Sequence, residues 1–208
     1  MNTNATIHVV DDDESVREAL CRVLELSGFA VRAHASAGDF LMECPTSESA
    51  ACVLLDIRMP GPSGLDLQQA LANRNDAPPV VLMSGFGDIP MSVLAIKRGA
   101  VDFLTKPIER EPLLAAVRSA IERSQTRHEH DHRRRVARER FAKLTTRERA
   151  VFEQVAVGRL NKQIAASLST CERTVKAHRA NVMHKLQVHS VAELVRIAVQ
   201  LESDSAAA

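Results

Sequence analysis

The chain has 208 residues, a length that suits one large domain or two small ones, and its four cysteines (Cys21, Cys44, Cys52, Cys171) show no metal-ligand spacing, so reduced cytosolic thiols are expected. No apolar stretch approaches the ~18 residues of a membrane span, and Met1-Asn2-Thr3-Asn4 lacks the start of a signal peptide, so a cytoplasmic protein with no membrane partner is expected. The net charge of +1 hides a polarised molecule: residues 1–122 carry 10 Lys/Arg against 17 Asp/Glu, whereas residues 123–208 carry 17 against 9. The acidic part suits cation binding and the basic part suits a polyanion such as nucleic acid.

From Ala5 to about Glu122, short β-branched runs alternate with amphipathic stretches. Ile7-His8-Val9-Val10 predicts a strand that ends at Asp11-Asp12, with helices expected near 14–27 and 36–43. Val53-Leu54-Leu55 predicts a buried strand that delivers Asp56 to its carboxyl end, and a helix is expected near 64–73. Val80-Val81-Leu82-Met83 ends at Ser84 and precedes a helix near 88–98. Val101 to Thr105 ends at Lys106 and precedes a helix near 110–122. Five βα units whose strands are nearly continuous apolar runs predict an α/β domain with a five-stranded parallel sheet, flavodoxin-like, covered by helices on both faces. In such sheets the binding crevice lies beyond the strand carboxyl ends, where all four polar features converge.

Residues 123–143 hold only Val136, Ala137, Phe141 and Ala142 as apolar residues. This charged linker is expected to bury no face and to be partly helical, fraying from the helix before it. From Leu144 the pattern becomes all-α, opening with the capping-box spacing of Thr145 and Glu148. Four helices are expected near 146–157, 161–168, 172–186 and 190–201, and the tail Ser203 to Ala208 offers nothing to pack, so it is expected to be disordered. The domains are therefore read as 5–122, a linker over 123–143, and 144–201, with a helix-turn-helix at about 161–180.

Phosphoryl transfer to a carboxylate needs a nucleophile, a divalent cation and a fixed group to hold the product. Asp56 supplies the first. Its crowding with Asp11 and Asp12 in one crevice calls for a hard ion such as Mg²⁺ (or Mn²⁺), while Lys106 offers a point charge and Ser84 a donor. On the 172–186 helix, Val175, Val182 and Leu186 mark a buried stripe at 100° per residue. The opposite face carries Arg173, Lys176, Ala177, Ala180 and His184, with Asn181 at its edge. Long basic residues reach guanine edges or phosphates, and the two alanines admit a close approach to the bases.

Asp11-Asp12, Asp56 with Met59-Pro60-Gly61, Ser84-Gly85, Gly99-Ala100, and Phe103 with Lys106-Pro107 resemble the receiver domain of two-component response regulators. Leu144-Thr145-Thr146-Arg147-Glu148-Arg149, Asn161-Lys162-Gln163-Ile164-Ala165, Thr174 to Arg179 and Lys185-Leu186 resemble the LuxR-type DNA-binding domain. Together they resemble the FixJ subfamily. The resemblance implies phosphotransfer from a sensor histidine kinase to Asp56, with Mg²⁺ held by Asp12, Asp56 and the backbone carbonyl of Arg58 and with Asp11 acting through water. It implies a cis Lys106-Pro107 bond, and a switch in which Ser84 moves and Phe103 turns inward, changing the surface near residues 86–105 and favouring a homodimer. It places Lys176, Ala177 and Ala180 nearest the bases of double-stranded promoter DNA and Thr174 and Lys162 near phosphates. Periodicity turns Arg179 toward the buried side, from which its length carries the guanidinium outward. The expected function is a transcriptional activator working with RNA polymerase, its chemistry limited to Mg²⁺-dependent self-phosphorylation from the donor and slow self-dephosphorylation. Two rivals remain: Asp11-x-Asp13-x-Ser15 also resembles the first motif of haloacid-dehalogenase-type phosphatases, and a receiver can act through protein partners alone.

Overall fold

The alternating apolar runs and amphipathic stretches form a parallel sheet wrapped by helices, followed by a separate group of helices. The computed structural model describes residues 5–43, 51–74, 76–85 and 89–205, and the chain divides into two units, Met1–Glu129 and His130–Ala208. In the first unit the elements run β1 (Thr6–Val10), α1 (Glu14–Leu26), β2 (Ala30–His34), α2 (Ala37–Met42), β3 (Ala51–Asp56), α3 (Gly64–Ala72), β4 (Val80–Ser84), α4 (Ile89–Lys97), β5 (Asp102–Thr105) and the greater part of α5 (Arg110–Ala142). All pairs are parallel and the strand order is β2-β1-β3-β4-β5.

Strand alternation divides the core into two layers. Ile7, Val9, Leu54 and Met83 pack on one face with Leu20 and Leu24 of α1 and Leu113 and Val117 of α5. Val10, Leu55 and Leu82 pack on the other with Phe40, Leu67, Leu71 and Ala95. Every residue of β3 is buried, Asp56 included. A carboxylate there is held in place by the strand: each buried Leu or Val beside it stabilises the fold by about 1.5–3 kcal/mol. The register pairs Val10 with Leu55, Leu55 with Leu82, and Leu82 with Phe103, so the carboxyl ends of β1, β3, β4 and β5 finish together.

The turn out of β3 tolerates only glycine at one point. The Gly64 N–H donates to the Ile57 carbonyl at 3.0 Å, and a Cβ on Gly64 would collide with the Asp56 carbonyl. Ser63 and Asp66 close a capping box around the start of α3, which fixes the helix against this turn.

The second unit consists of the end of α5 and four helices, α6 (Thr146–Ala156), α7 (Asn161–Ser167), α8 (Glu172–Leu186) and α9 (Val191–Ser205). They enclose Leu144, Val151, Phe152, Ile164, Val175, Val182, Leu186 and Leu194. Thr145 and Glu148 form the expected capping box, and the buried residues of α8 are Val175, Val182 and Leu186, the stripe that periodicity gave.

Two expectations are corrected. The helix that was to fray beyond residue 122 continues to Ala142. Its Arg, Glu, Gln and Ala residues are good helix formers, and the segment does bury groups: the Ser124 hydroxyl accepts the Ala51 N–H at 3.2 Å, and Arg127 donates to the Ala77 carbonyl at 3.1 Å. Within the second unit, Ala137 is buried and Phe141 packs edge-on to Phe152. The tail that was to be disordered from residue 203 begins instead as the last turn of α9, which extends to Ser205, while 206–208 lie outside the described residues. Cys21, Cys52 and Cys171 are free thiols, and Cys44 lies outside the described residues.

One polar pair lies inside the sheet's second layer. His8 Nδ1 and His34 Nε2 are 3.0 Å apart, and both rings meet Phe40 edge-on. Burial, then the charge of His34, then that of Arg32, push the His8 imidazole down to about 4 from its ordinary 6.5. Burial likewise lowers His34.

Two outcomes follow. Gly64→Ala should destabilise the first unit by about 1–3 kcal/mol, read from the urea midpoint, because overpacking must displace the Asp56 carbonyl. His8 has a folded pKa below its unfolded one, so its contribution is present above about 6.5 and is lost as pH falls toward about 4. The full loss is on the order of 3 kcal/mol, and urea titrations across that window should show a larger loss in the wild type than in His8→Leu, in which only His34 is left to titrate.

Candidate functional site

At the carboxyl end of the sheet, three carboxylates and one ammonium meet. Asp11 follows β1, Asp56 ends β3 and Lys106 follows β5. Lys106 Nζ stands 2.6 Å from Asp11 Oδ2 and 2.7 Å from Asp56 Oδ1, and so bridges the two acids. Backbone groups hold the remaining oxygens. The Arg58 N–H donates to Asp56 Oδ2 at 2.9 Å, and the Asp13 N–H donates to Asp11 Oδ1 at 3.1 Å. Arg17 donates to the Asp11 carbonyl at 2.7 Å, a partner that the sequence did not single out.

These contacts set the charges. Burial pushes the Asp56 carboxyl above its ordinary range, while the hydrogen bond and charge of Lys106 pull it back. For Lys106, burial acts to lower the pKa, but its bonds to Asp11 and Asp56 outweigh that and leave it raised. A buried carboxylate with a raised pKa is a more basic and more nucleophilic oxygen than a solvated one. The fixed ammonium nearby is suited to hold a transferred anionic group.

Asp12 is exposed at the rim, and one oxygen each of Asp11, Asp12 and Asp56 lie within 4.8 Å of one another. An all-oxygen donor set of this kind fits a hard divalent cation and not a soft one. The Arg58 backbone N–H faces Asp56. Ser84 is buried at the end of β4, and its carbonyl accepts the Lys106 N–H at 2.7 Å. Phe103 is half-buried against the second core layer, and the Lys106-Pro107 bond is cis. The third residue of the rival phosphatase motif is otherwise engaged: the Asp13 side chain accepts the N–H groups of Ser15 and Val16 and caps α1.

In the second unit, the face of α8 away from the core exposes Arg173, Lys176, Ala177, Ala180 and Asn181, while Lys162 is exposed on α7. Thr174 is half-buried with its hydroxyl 3.2 Å from the Cys171 thiol. Arg179 departs from this set: its guanidinium donates to Asn161 Oδ1 at 2.7 Å, joining α8 to the start of α7. Periodicity turned Arg179 inward, but Asn161 as its partner carried no local signal because 18 residues separate them. On the other flank, Lys185 Nζ reaches the buried Glu148 carboxylate at 2.6 Å. That bond, with the Thr145 N–H, holds the Glu148 carboxyl below the usual range. Two polar ties thus fix the rotation of α8, and with it which residues face outward.

Family comparison matches the response regulator receiver domain to residues 7–118 and the luxR family of bacterial regulatory proteins to residues 142–198. The chain is 41% identical over 198 residues to the response regulator protein TodT of Pseudomonas putida, covering 95% of this chain and 87% of that one. It is 43% identical over 199 residues to the transcriptional regulatory protein FixJ of Azorhizobium caulinodans, covering 96% and 94%. Among solved structures, the response regulator StyR is 41% identical with a TM-score of 0.83, over 95% of this chain and 100% of that one.

Replacing Lys106 by methionine should leave Asp11 and Asp56 facing each other without a counter-charge. The expected loss is on the order of 2–4 kcal/mol at neutral pH. Urea titration should show the deficit shrinking on acidification, as the carboxylates protonate, and on addition of a divalent cation.

Proposed function

The chain belongs to the two-component response regulators that join a receiver domain to a LuxR-type DNA-binding domain, and on that premise we propose that Asp56 is the carboxylate that accepts the phosphoryl group. The observation that carries this reading is the Lys106 ammonium seated between Asp11 and Asp56. Asp56 Oδ1 attacks the phosphorus, the leaving group departs on the opposite side, and an acyl phosphate forms. Lys106 then pairs with a phosphoryl oxygen in place of the carboxylate, and the Ser84 hydroxyl supplies a donor once it turns toward the new group. Asp12, Asp56 and the Arg58 carbonyl are the proposed ligands of Mg²⁺ or Mn²⁺, with Asp11 acting through water. When bound, the ion neutralises charge on the transferring oxygens. The phosphoryl donor is a sensor histidine kinase, and the chain's own chemistry is confined to taking and slowly releasing this group.

As a two-component transcriptional regulator, the chain uses its second unit for DNA. We assign the receiver to 5–122, the linker to 123–143 and the DNA-binding domain to 144–201, all acting in the cytoplasm. Lys176, Ala177 and Ala180 are the base-facing residues, with Arg173 and Asn181 beside them and Lys162 and Thr174 at phosphates. Arg179 is assigned instead to support, because Asn161 occupies its guanidinium.

The link between the units is dimerisation. Val93, Leu94 and Ile96 of α4 expose apolar side chains within the 86–105 surface, of which 86–88 lie outside the described residues. Phosphorylation adds roughly −1.5 to −2 charges at the end of the sheet, Phe103 turns inward, and the α4 surface becomes a homodimer face. A paired site multiplies the reading of one short recognition helix. Bound dimers act as an activator through RNA polymerase.

Asp56→Asn tests the whole sequence. Incubated with an acyl-phosphate donor and Mg²⁺, the wild type should gain one phosphoryl group by mass, become dimeric, and bind selected duplex roughly a hundredfold more tightly. The variant should do none of these. A wild type that takes the group yet stays monomeric with unchanged affinity would refute the dimer step, and phosphorylation of the variant would refute the assignment of Asp56.

A further inference from the structure

The second unit contains a cleft of about 170 Å³ bounded by the start of α6, the α7–α8 turn and the first half of α8. That volume is well below the roughly 300 Å³ at which small-molecule pockets begin. One tetrahedral oxyanion fits the space.

The lining is rich in donors. Arg147 brings a guanidinium, Ser169, Thr170 and Thr174 bring hydroxyls, and His178 an imidazole, over an apolar floor that includes Val151. No carboxylate lines it. Glu148, next in sequence to Arg147, is buried and occupied by Lys185. Glu172 of α8 stands on the other flank: at about 100° per residue, Thr174 and His178 share one side of the helix and Glu172 turns away from it.

The cleft lies beside the outward face of α8. A helix seated in the major groove has a phosphate strand along each flank. We propose that the cleft seats one phosphate group of the DNA backbone, with the Arg147 guanidinium as its counter-charge and the turn hydroxyls as its donors. Arg147, from a helix outside the helix-turn-helix, thereby becomes part of the interface and fixes how deeply α8 enters the groove. The inference rests on the DNA-binding reading of the second unit.

Full-length protein treated with an acyl-phosphate donor is compared with its Arg147→Gln and Arg147→Lys variants on two probes, a random-sequence duplex and a duplex selected with the wild type. Arg147 is exposed, so either replacement should leave the fold intact. Arg147→Gln should weaken both duplexes by the same factor, roughly tenfold. It should also reduce the slope of log affinity against log salt by about 0.9. Arg147→Lys should keep the wild-type slope. An unchanged slope in Arg147→Gln overturns the proposal, as does a loss confined to the selected duplex, which marks a base contact. Inorganic phosphate is the remaining probe. If it raises the melting temperature of the wild type but not of Arg147→Gln while duplex binding is equal, the cleft holds a free anion and the proposal fails. A wild type that binds neither duplex overturns the DNA-binding reading together with the cleft, whereas a binding wild type with an indifferent Arg147→Gln overturns the cleft alone.

Discussion

The contact of Lys106 with Asp11 and Asp56 is the constraint on which the receiver depends. Two largely buried carboxylates at the ends of neighbouring strands repel one another, and each is costly to desolvate. A single ammonium at 2.6 and 2.7 Å from them offsets both effects. It can do so only if β1, β3 and β5 end at the same level, although β4 stands between β3 and β5. The parallel register across the sheet, the fully buried β3 and the glycine turn behind Asp56 all serve that alignment.

The same contact suits the site to the proposed phosphoryl transfer. Lys106 is shared between two acids, so a phosphoryl group on Asp56 would change its partner without leaving it unpaired. Burial raises the pKa of Asp56 and makes its oxygen more basic, while Lys106 keeps the rise in check. Full burial without the ammonium would favour a neutral, unreactive acid. Full exposure would give a weak nucleophile with no water-excluded site for its product.

Much of this was legible in the sequence because strand ends are local features. An apolar run that stops at Asp56, Ser84 or Lys106 announces both the strand and the position of the polar group, and the strand order then brings these groups together. The buried stripe of α8 was legible for the same reason, since a 3.6-residue period exposes which side chains turn inward. Pairings across long separations were not. His8 with His34, Ser124 with Ala51, and Arg179 with Asn161 join residues whose neighbours in sequence give no hint of the partner. The extent of α5 was hidden by composition: a run of arginines and glutamates reads as solvated, and only tertiary contacts of Ser124, Arg127 and Ala137 show that parts of it are buried or engaged.

The two units solve one problem, the placing of charge, by opposite means. In the receiver, an ammonium is nearly enclosed between carboxylates, so that arrival of a further anion rearranges the pairing. In the DNA-binding unit, Lys185 is paired with Glu148 and Arg179 with the Asn161 amide, while Arg173 and Lys176 stand exposed on the outward face of α8. Those inner ties hold α8 by both flanks. Its rotation is then set by hydrogen bonds as well as by the apolar stripe, and a rotation of one residue, about 100°, would bring buried Val175 to the place of Lys176 and Lys176 to that of Ala177. The outward face of α8, the proposed DNA-reading surface, is therefore defined from behind, by the apolar stripe and the ties of Lys185 and Arg179.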